Sequence, residues 1–482
     1  MNTVRLKVSA FFDRRYDAYA QIYFYIFILL GSLYVFYPNY LDHIESTIAV
    51  LGGVMQRGEA LYPAPDPYPY HGILYGPALA EIQGLFHWIG LPVMVGSKLP
   101  GILAFILASN ILLRLNRKAI TRGYLLFLFP YIYYLFWDRA EPFFLLIISL
   151  SLFLAEKLPG SKLLPVLLGI LAGAASALKL HGIAYVLAAY LAIVLTGGAS
   201  IGAVVVFALL SCISFITFFL PQNISFFSFI NYLKIAGHHG LSMDTWQTNI
   251  MYWFALLVPL LVVWRNAKTA MRTNVYLTII LGIEFFITIL GAKPGAGLHH
   301  LFPFIPLNAY LMAYLLPEGE KLRQEYLVRV VYVVLTIISL ITAVKLASLM
   351  MRHWHQYAAA GREVISCEAK YTGLVMGIGE GDQGYEYTYL RVLLNRRQID
   401  FPAFMDLQFS GVGDGLFVEN LSNGSIKHIL VPNEGTPFAM LNFYTGKPLF
   451  SGNVQKAFTT HYRCIKRGEA YSVYAWQISN AL

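Results

Sequence analysis

Charged residues are scarce in this sequence. Asp, Glu, Lys and Arg together make up 13% of its 482 residues, whereas hydrophobic residues make up 57%. This balance excludes an ordinary water-soluble globular protein. The net charge of +9 is explained by the orientation of the chain in a membrane, so it does not indicate a nucleic-acid partner.

Common catalytic motifs are also missing. The sequence has no HExxH motif, no closely spaced cysteine pair and no Walker A motif, so a zinc hydrolase and a nucleotide-driven enzyme are not indicated. An activated group must then reach the protein from the membrane or from outside. No cofactor is predicted, although a divalent metal at Asp42 and Glu45 stays open. A disulfide between Cys367 and Cys464 also stays open.

Apolar runs recur along the first 350 residues. Eleven of them lie near residues 21–37, 99–113, 123–137, 142–155, 163–178, 182–196, 201–219, 249–264, 274–290, 301–316 and 329–350. A helix needs about 20 residues to cross the hydrocarbon core of a bilayer. The sequence therefore predicts a polytopic α-helical membrane protein with about eleven spans.

The loops between these runs alternate in charge. One set of loops holds sixteen basic residues, namely Arg5, Lys7, Arg14, Arg15, Arg114, Arg117, Lys118, Arg122, Lys157, Lys162, Arg265, Lys268, Arg272, Lys321, Arg323 and Arg329. The other set holds only Arg57, Lys98, Arg139, Lys179, Lys234 and Lys293. The positive-inside rule places the first set in the cytoplasm. The N-terminus is therefore predicted inside, and the chain after residue 350 outside, in the periplasm.

Two segments break the helical pattern. In the long outer loop, residues 37–98, apolar residues recur at helical spacing and predict a helix on the membrane surface. The tail, residues 351–482, mixes short β-rich runs with glycine turns and predicts a small mixed α/β domain. We thus expect a catalytic membrane domain over 1–350 that includes the loop, and a periplasmic domain over 351–482 that packs on the loop.

Asp42 and Glu45 follow directly after the first span. Three residues apart on a helix, both carboxylates would share one face at the membrane surface. The same spacing is typical of a capping box, in which Asp42 caps the helix and Glu45 bonds back to it. Capping and catalysis both stay open at this stage.

A second acidic group lies in the tight outer turn after the third run. Asp138, Arg139 and Glu141 crowd into this turn, where charge is costly unless it is paired or functional. A solvated turn with an ion pair to Arg139 is the alternative.

Basic groups occupy the other outer helix ends: Lys179 and His181, the pair His238 and His239, and Lys293 with His299 and His300. They would suit a lipid-linked phosphate at the membrane interface. Interface anchoring by Lys179 and the histidines is the alternative. Because neighbouring histidines seldom point at one ion, we expect no metal at these pairs.

The order of these features resembles a known family. A span, an acidic residue straight after it, a turn with Glu59 and Tyr62, and then Tyr75-Gly76-Pro77 resemble bacterial GT-C glycosyltransferases, polytopic enzymes that use polyprenyl-phosphate sugars. The acidic turn from Asp138 and the late HHLFPFIP segment fit as well, so the resemblance covers about residues 20–316. The acidic pair is spaced as DxxE, where many relatives have DxD or a single Asp.

The resemblance implies a function and roles. It implies an inner-membrane hexosyl- or pentosyltransferase that moves a sugar from a polyprenyl-phosphate donor to a glycan, lipid or protein acceptor on the periplasmic face. No soluble cofactor is expected. Asp42 would be the general base of an inverting reaction, with Glu45 as the second catalytic candidate. The residues expected to bind acceptor or sugar are Glu59, Tyr62, Tyr75, Asp138, Arg139, Glu141 and His239, with Tyr68, Tyr70 and Trp137 stacking on rings. The residues expected to hold the donor phosphate are Lys179, His181, Lys293, His299 and His300.

Two other classes stay open. A transporter or flippase of lipid-linked glycans would also be polytopic, but it would favour ionisable residues near the bilayer midplane and paired repeats. Only Glu284 and Lys345 look deep here, and no repeat is apparent. A glycan polymerase or ligase would share the lipid-linked donor but place its main catalytic loop late, whereas the first loop is the richest here.

Overall fold

The computed structural model describes residues 21–63, 74–115, 123–131, 135, 137–197, 200–267, 269–316, 325–394, 401–408 and 411–477. The chain forms two compact units, each built from separate stretches of sequence. The first unit comprises Met1–Tyr34, Gly101–Leu220 and Gly240–Ser348. The second unit comprises Val35–Pro100, Pro221–His239 and Leu349–Leu482. The predicted first loop and tail therefore belong to the same unit, whereas the sequence assigned the loop to the membrane domain.

Long apolar helices dominate the first unit. They are Gln21–Phe36, Leu99–Leu115, Ala140–Lys157, Leu163–Leu178, Gly182–Gly197, Ile201–Thr217, Met243–Asn266, Met271–Leu290, Phe304–Leu315 and Glu325–Lys370. Gln21–Phe36 and Glu325–Lys370 end in the second unit, and Leu99–Leu115 begins there. Helices thus cover ten of the eleven predicted runs.

The third predicted run differs. Its described residues form two short 3₁₀ helices, Gly123–Phe127 and Phe129–Tyr131. Pro130 lies in the middle of this run. A proline lacks the backbone N–H that an α-helix needs at an interior position, so it disfavours a regular α-helix there. The described part of this run contains no regular α-helical span.

Four of the helices are long and apolar enough to cross a membrane, namely Val93–Leu115, Met243–Arg265, Met271–Leu290 and Tyr326–Lys370, among the residues that the structure describes. Shorter apolar helices accompany them. One of these, Ile201–Thr217, exposes Val204, Leu209 and Ile213, as a helix in contact with lipid would. The prediction of a polytopic α-helical fold is confirmed.

Small residues allow two of these helices to approach closely. A side chain at Gly173 would place its Cβ 2.5 Å from Ser214 Cβ, and one at Gly169 would come within 2.8 Å of the Phe207 carbonyl oxygen. Ser214 Oγ donates to the Ile170 carbonyl oxygen at 2.9 Å. Close backbone approach through small residues is the usual way in which membrane helices pack.

The second unit begins with the surface helix that the sequence predicts. This first-loop helix, His43–Gln56, is followed by Ala78–Trp88 and Val93–Gly96, and the middle stretch adds Phe226–Gly237. Ile48 and Leu51 on the first-loop helix are fully buried. Gly52 lets the helix Ala78–Trp88 approach, because a Cβ there would lie 2.5 Å from Gln83 Cβ.

The tail forms the small mixed α/β domain that the sequence predicts. Its helices are Gly381–Tyr387, Phe401–Gln408, Gly415–Ser422 and Gly452–His461, with a 3₁₀ helix at Thr388–Leu393. The strands β1 (Leu374–Met376), β2 (His428–Pro432), β3 (Tyr462–Arg467) and β4 (Tyr471–Trp476) form one sheet in the order β1-β2-β4-β3. β1 and β2 are parallel, and the other pairs are antiparallel.

The tail packs on the first loop, as expected. Tyr389 of the 3₁₀ helix joins Tyr40 and Ala49 in a buried cluster, and Asn39 Nδ2 donates to the Glu386 carbonyl oxygen at 3.4 Å. The disulfide left open by the sequence is not formed, since Cys367 is a buried thiol and Cys464 an exposed one.

Candidate active site

The acidic turn of the first unit is buried rather than solvated. Asp138 is fully buried, and Arg139 and Glu141 are only 4% and 1% exposed. Gly101 makes room for this turn, because a Cβ there would lie 2.6 Å from the Trp137 carbonyl oxygen. The Arg139 guanidinium lies 4.0 Å from the centre of the Trp137 ring. The turn therefore carries charge into the interior of the unit.

Glu141 is the centre of a buried ion network. Lys179 Nζ lies 2.5 Å from Glu141 Oε1, and Arg139 Nε lies 3.7 Å from Glu141 Oε2. Lys179 is 4% exposed, so it does not reach back to the interface as an anchor would. Gly182 supports this geometry, because a Cβ there would overlap the Ala175 carbonyl at the end of the preceding helix.

The histidines join the same network. His299 Nε2 lies 3.8 Å from Glu141 Oε1 and 3.4 Å from Arg139 Nη2. The ring of His300 lies 4.5 Å from that of His299 and 5.2 Å from that of His181, centre to centre. Tyr185 fixes the segment by donating to the His300 carbonyl oxygen at 2.8 Å. Four of the five residues predicted to hold phosphate thus lie together.

Burial and the local charges set the protonation of this cluster. Burial raises the pKa of Glu141, but Lys179, Arg139 and His299 lower it by more, so the net pKa is well below its usual range. Burial, and after it the positive charge of Lys179, lowers the pKa of His181 to about 3. Burial likewise lowers the pKa of His299 and His300. At neutral pH the cluster contains an ionised carboxylate and neutral imidazoles.

Lys293, the fifth residue predicted to hold phosphate, is half-buried. It contributes to the low pKa of His181 through its charge.

The cluster brings together a carboxylate and two imidazoles, which are groups that can bind a metal ion. One ligand atom each from Glu141, His299 and His300 lies within 4.8 Å of the others, so these adjacent histidines do converge, contrary to the general expectation from their spacing. Carboxylate and neutral imidazole are ligands that Zn²⁺ accepts. Lys179 and Arg139, however, already neutralise Glu141, and their charge disfavours a dication while it favours an anion.

Asp42 caps the first-loop helix in the second unit. Its Oδ1 accepts from the Ile44 N–H at 2.9 Å, and Glu45 Oε2 accepts from the Asp42 N–H at 3.1 Å. The capping box that the sequence left open is therefore present. Asp42 Oδ2 lies 3.4 Å from His43 Nδ1, and the Asp42 side chain keeps 17% exposure. Glu45 is fully buried and also accepts from the Leu41 N–H.

Other predicted residues of the first loop have structural contacts. Glu59 accepts from Arg57 Nε at 3.0 Å. The hydroxyl of Tyr62 donates to the Tyr75 carbonyl oxygen at 2.8 Å, and its ring packs on Phe229. Tyr68 and Tyr70, expected to stack on sugar rings, lie outside the described residues.

The tail contributes polar residues that the sequence did not single out. His239, a predicted substrate residue, is buried, and its Nε2 lies 3.6 Å from Asp406 Oδ1 of the tail helix Phe401–Gln408. Its ring lies 6.1 Å from that of Tyr444. Burial raises the pKa of the buried Tyr444 hydroxyl, and the charges of Asp406 and Asp42 add to this effect. No local pattern marks Asp406, because its partner is distant in sequence.

Two short stretches match catalytic or nucleotide-binding motifs, but the structure gives both of them structural roles. Residues 198–202 match GxSxG, but Ser200 caps the helix Ile201–Thr217 by accepting from the Ala203 N–H. Residues 379–384 match GxGxxG after strand β1. A Cβ at Gly379 would overlap the Glu434 carbonyl oxygen, so this glycine serves close packing. The carboxylate of Glu380, which accepts from the Thr436 N–H, disfavours a phosphate there.

The helical bundle with its small mixed-sheet tail is a fold that solved membrane-protein structures share, so the fold expected from the family resemblance is confirmed. Solved structures that share this fold include ArnT from Cupriavidus metallidurans bound to undecaprenyl phosphate, at 13% identity and a TM-score of 0.56 over 94% of this chain and 98% of that chain.

The same protein in the apo state matches with 13% identity and a TM-score of 0.56, over 94% of this chain and 97% of that chain. No protein-family profile matches the sequence, and no curated protein matches it.

Proposed function

We propose that this protein is a membrane glycosyltransferase that moves a sugar from a polyprenyl-phosphate donor to an acceptor hydroxyl. The observation that carries the proposal is the buried cation pair, Lys179 and Arg139, held with neutral histidines around Glu141. A fold shared with an undecaprenyl-phosphate-bound ArnT supports it.

The donor phosphate is assigned to the cluster around Glu141. Lys179 and Arg139 place two buried cations around one position beside Glu141, and such a pair attracts an anion. A phosphate group could accept charge-assisted hydrogen bonds from Lys179 and Arg139. The neutral imidazoles of His299 and His300 add donors to phosphate oxygens without further charge.

Asp42 is assigned as the general base. A base needs an ionised oxygen within reach of the acceptor hydroxyl, and Asp42 keeps partial exposure while its Oδ1 serves the helix cap. Glu45 is fully buried and bonded to backbone N–H groups, so we assign it the task of fixing the Asp42 backbone. His239, with Asp406, is assigned to the acceptor.

The proposed reaction is one displacement with inversion. The acceptor oxygen attacks the anomeric carbon while its proton passes to Asp42. The bond from the anomeric carbon to the phosphate oxygen breaks, and the lipid phosphate leaves with the electron pair. Lys179 and Arg139 stabilise the charge on the departing phosphate. The proposed steps use protein side chains alone. The chain orientation predicted from the loop charges puts this chemistry on the periplasmic face of the inner membrane.

Replacing Asp42 by Asn separates catalysis from capping. Asn caps a helix about as well as Asp, so D42N should fold and insert normally but lose transfer by on the order of a hundredfold or more, the usual contribution of a general base. The measurement is release of undecaprenyl phosphate from a panel of undecaprenyl-phosphate pentose and hexose donors, with a bacterial envelope glycolipid extract as acceptor.

The matched control is D244N, which changes an exposed carboxylate in the first turn of another helix. D244N should turn over like the parent protein. A fully active D42N would leave Asp42 with the cap alone.

A further inference from the structure

A buried arginine of the tail contacts the first-loop helix directly. Arg391 lies in the 3₁₀ helix Thr388–Leu393 and is fully buried. Its Nη1 donates to Ser46 Oγ at 2.9 Å and to the Thr388 carbonyl oxygen at 3.1 Å, and its Nη2 donates to Thr47 Oγ1 at 3.1 Å. One guanidinium therefore bonds two neighbouring hydroxyls of the helix and its own backbone.

These two hydroxyls also donate hydrogen bonds within the first turn of the helix. Ser46 Oγ donates to the His43 carbonyl oxygen at 2.8 Å, and Thr47 Oγ1 donates to the same oxygen at 3.3 Å. His43 is the first residue of the helix, and Asp42 is its cap. The hydrogen bonds thus run from the tail guanidinium, through two hydroxyls, to the residue that follows Asp42.

Apolar contacts already hold the tail against this helix. Tyr389 packs with Tyr40 and Ala49, and Val392 and Met94 lie against them. These apolar contacts involve no charge, and burying a guanidinium costs free energy that its hydrogen bonds must offset. A hydrophobic residue of similar size could fill the same space. The arginine is therefore best explained by its planar guanidinium, which donates two hydrogen bonds in a fixed geometry and so fixes the position of the first-loop helix.

We propose that Arg391 is a positioning residue for Asp42, so that the tail is part of the catalytic apparatus. The proposal rests on the proposed function, because it gives Arg391 an effect only through the Asp42 carboxylate. Arg391 holds Ser46 and Thr47, these fix the first turn, and the turn sets the direction of the carboxylate. Displacing a catalytic group by about 1 Å can reduce a rate by about a hundredfold, so a modest loosening of this turn is enough to slow transfer.

The test compares three changes at this contact. R391M removes both hydrogen bonds to the hydroxyls, R391K keeps one donor group, and the double change S46A/T47V removes the acceptors. R391M and S46A/T47V should each lower kcat by about tenfold or more while the donor KM stays within about twofold. R391K should recover part of the rate, since an ammonium can serve one hydroxyl but not both.

Combining R391M with S46A/T47V should cost no more than either change alone, because both remove one shared set of hydrogen bonds. The control is R467M, which changes an exposed arginine at the end of strand β3 and should leave kcat unchanged. Rates are expressed per folded molecule, with the folded fraction measured by size-exclusion chromatography.

A kcat per folded molecule that R391M leaves unchanged would overturn the proposal and make Arg391 a structural anchor. So would additive losses in the combined variant. If D42N is inactive and R391M fully active, only the role of Arg391 fails. If D42N is as active as the parent protein, the base assignment fails and the role of Arg391 falls with it.

Discussion

At the scale of single residues, the first unit contains a set of charges that are buried and paired with one another. Glu141 is ionised although it is buried, because Lys179 and Arg139 stabilise its charge more than burial penalises it. The sequence could predict the members of this cluster, since charge at the outer end of an apolar run is costly and so marks function. It predicted Lys179, His181, Lys293, His299 and His300 as one set, and the structure brings Lys179, His181, His299 and His300 together.

Other residues could not be predicted from the sequence. Arg391 and Asp406 sit in a tail without a recognisable pattern, and each acquires its partner from a segment more than 150 residues away. Their meaning depends on tertiary contacts that local spacing does not encode. The capping box at Asp42 was visible in the sequence as one of two alternatives, and its hydrogen bonds confirm it without testing the catalytic role.

Glu81 should make stability depend on pH. Burial raises its pKa from 4.5 to about 7, and Oε1 has no hydrogen-bond partner among the described residues. A raised pKa means that the folded state favours the neutral carboxyl. The contribution to stability is therefore full below about pH 4.5 and is lost as the pH rises through about 7. The melting temperature should fall between about pH 5 and pH 8.

The variant E81Q should flatten this fall, since its amide does not ionise. E419Q, which changes an exposed carboxylate in the tail, should melt with the same pH profile as the parent protein. If the melting temperatures of E81Q and the parent protein depended on pH in the same way, the pKa of Glu81 would not be raised in the folded state.

At the scale of elements, hydrophobic periodicity predicted most of the helices. Ten of the eleven apolar runs form helices, because an unbroken apolar run has few other ways to satisfy its backbone in a membrane. The third run, which contains Pro130, forms 3₁₀ helices over its described residues. The run that contains Pro259 forms an α-helix, so a proline disfavours a helix without deciding the outcome by itself. The helix bearing Asp42 was predicted by its apolar spacing, and its buried face confirms that prediction.

Gly173 should be indispensable for packing between Leu163–Leu178 and Ile201–Thr217. G173L would drive a side chain into Ser214 and the Phe215 backbone, which should destabilise the protein by roughly 1–3 kcal/mol, the usual cost of overpacking. Thermal unfolding in detergent measures the loss. Gly202 on the second helix is the control, because a Cβ there meets only Ser200 Oγ at 3.8 Å. Equal melting temperatures for G173L and G202L would contradict this account of the interface.

At the scale of the whole molecule, the loop charges predict an orientation in the membrane, and the tertiary contacts define two compact units. The alternation of basic loops predicted which residues share a side, and the donor set follows from that alternation. The sequence predicted that the tail packs on the first loop. It could not predict that residues 221–239 join the same unit, because this stretch is separated from the other two by spans and shares no pattern with them. The domain boundary near residue 350 stays a prediction.

The orientation predicted from the loop charges would make the tail accessible from outside the cell. Cys464 has an exposed side chain, so a membrane-impermeant maleimide should label it in intact spheroplasts of a C212A variant. A single cysteine introduced at Ser161, in a predicted cytoplasmic loop, should react only after lysis. Labelling of Cys464 that requires lysis would reverse the side of every proposed site.

The central claim is that the cluster around Glu141 binds a lipid-linked phosphate, and affinity for undecaprenyl phosphate tests it most directly. K179M should weaken binding about 10- to 100-fold, because a hydrogen bond to a charged group contributes about 1.5–3 kcal/mol. Undecaprenol, which lacks the phosphate, should bind the parent protein and K179M equally weakly.

K234M, which changes an exposed lysine of the second unit, should bind undecaprenyl phosphate like the parent protein. The double variant E141Q/K179M removes the charges of Glu141 and Lys179 together and guards against unfolding caused by a buried Glu141 that has lost its nearest cation. It too should bind undecaprenyl phosphate more weakly than the parent protein. Unchanged affinity for undecaprenyl phosphate in both folded variants would contradict the account.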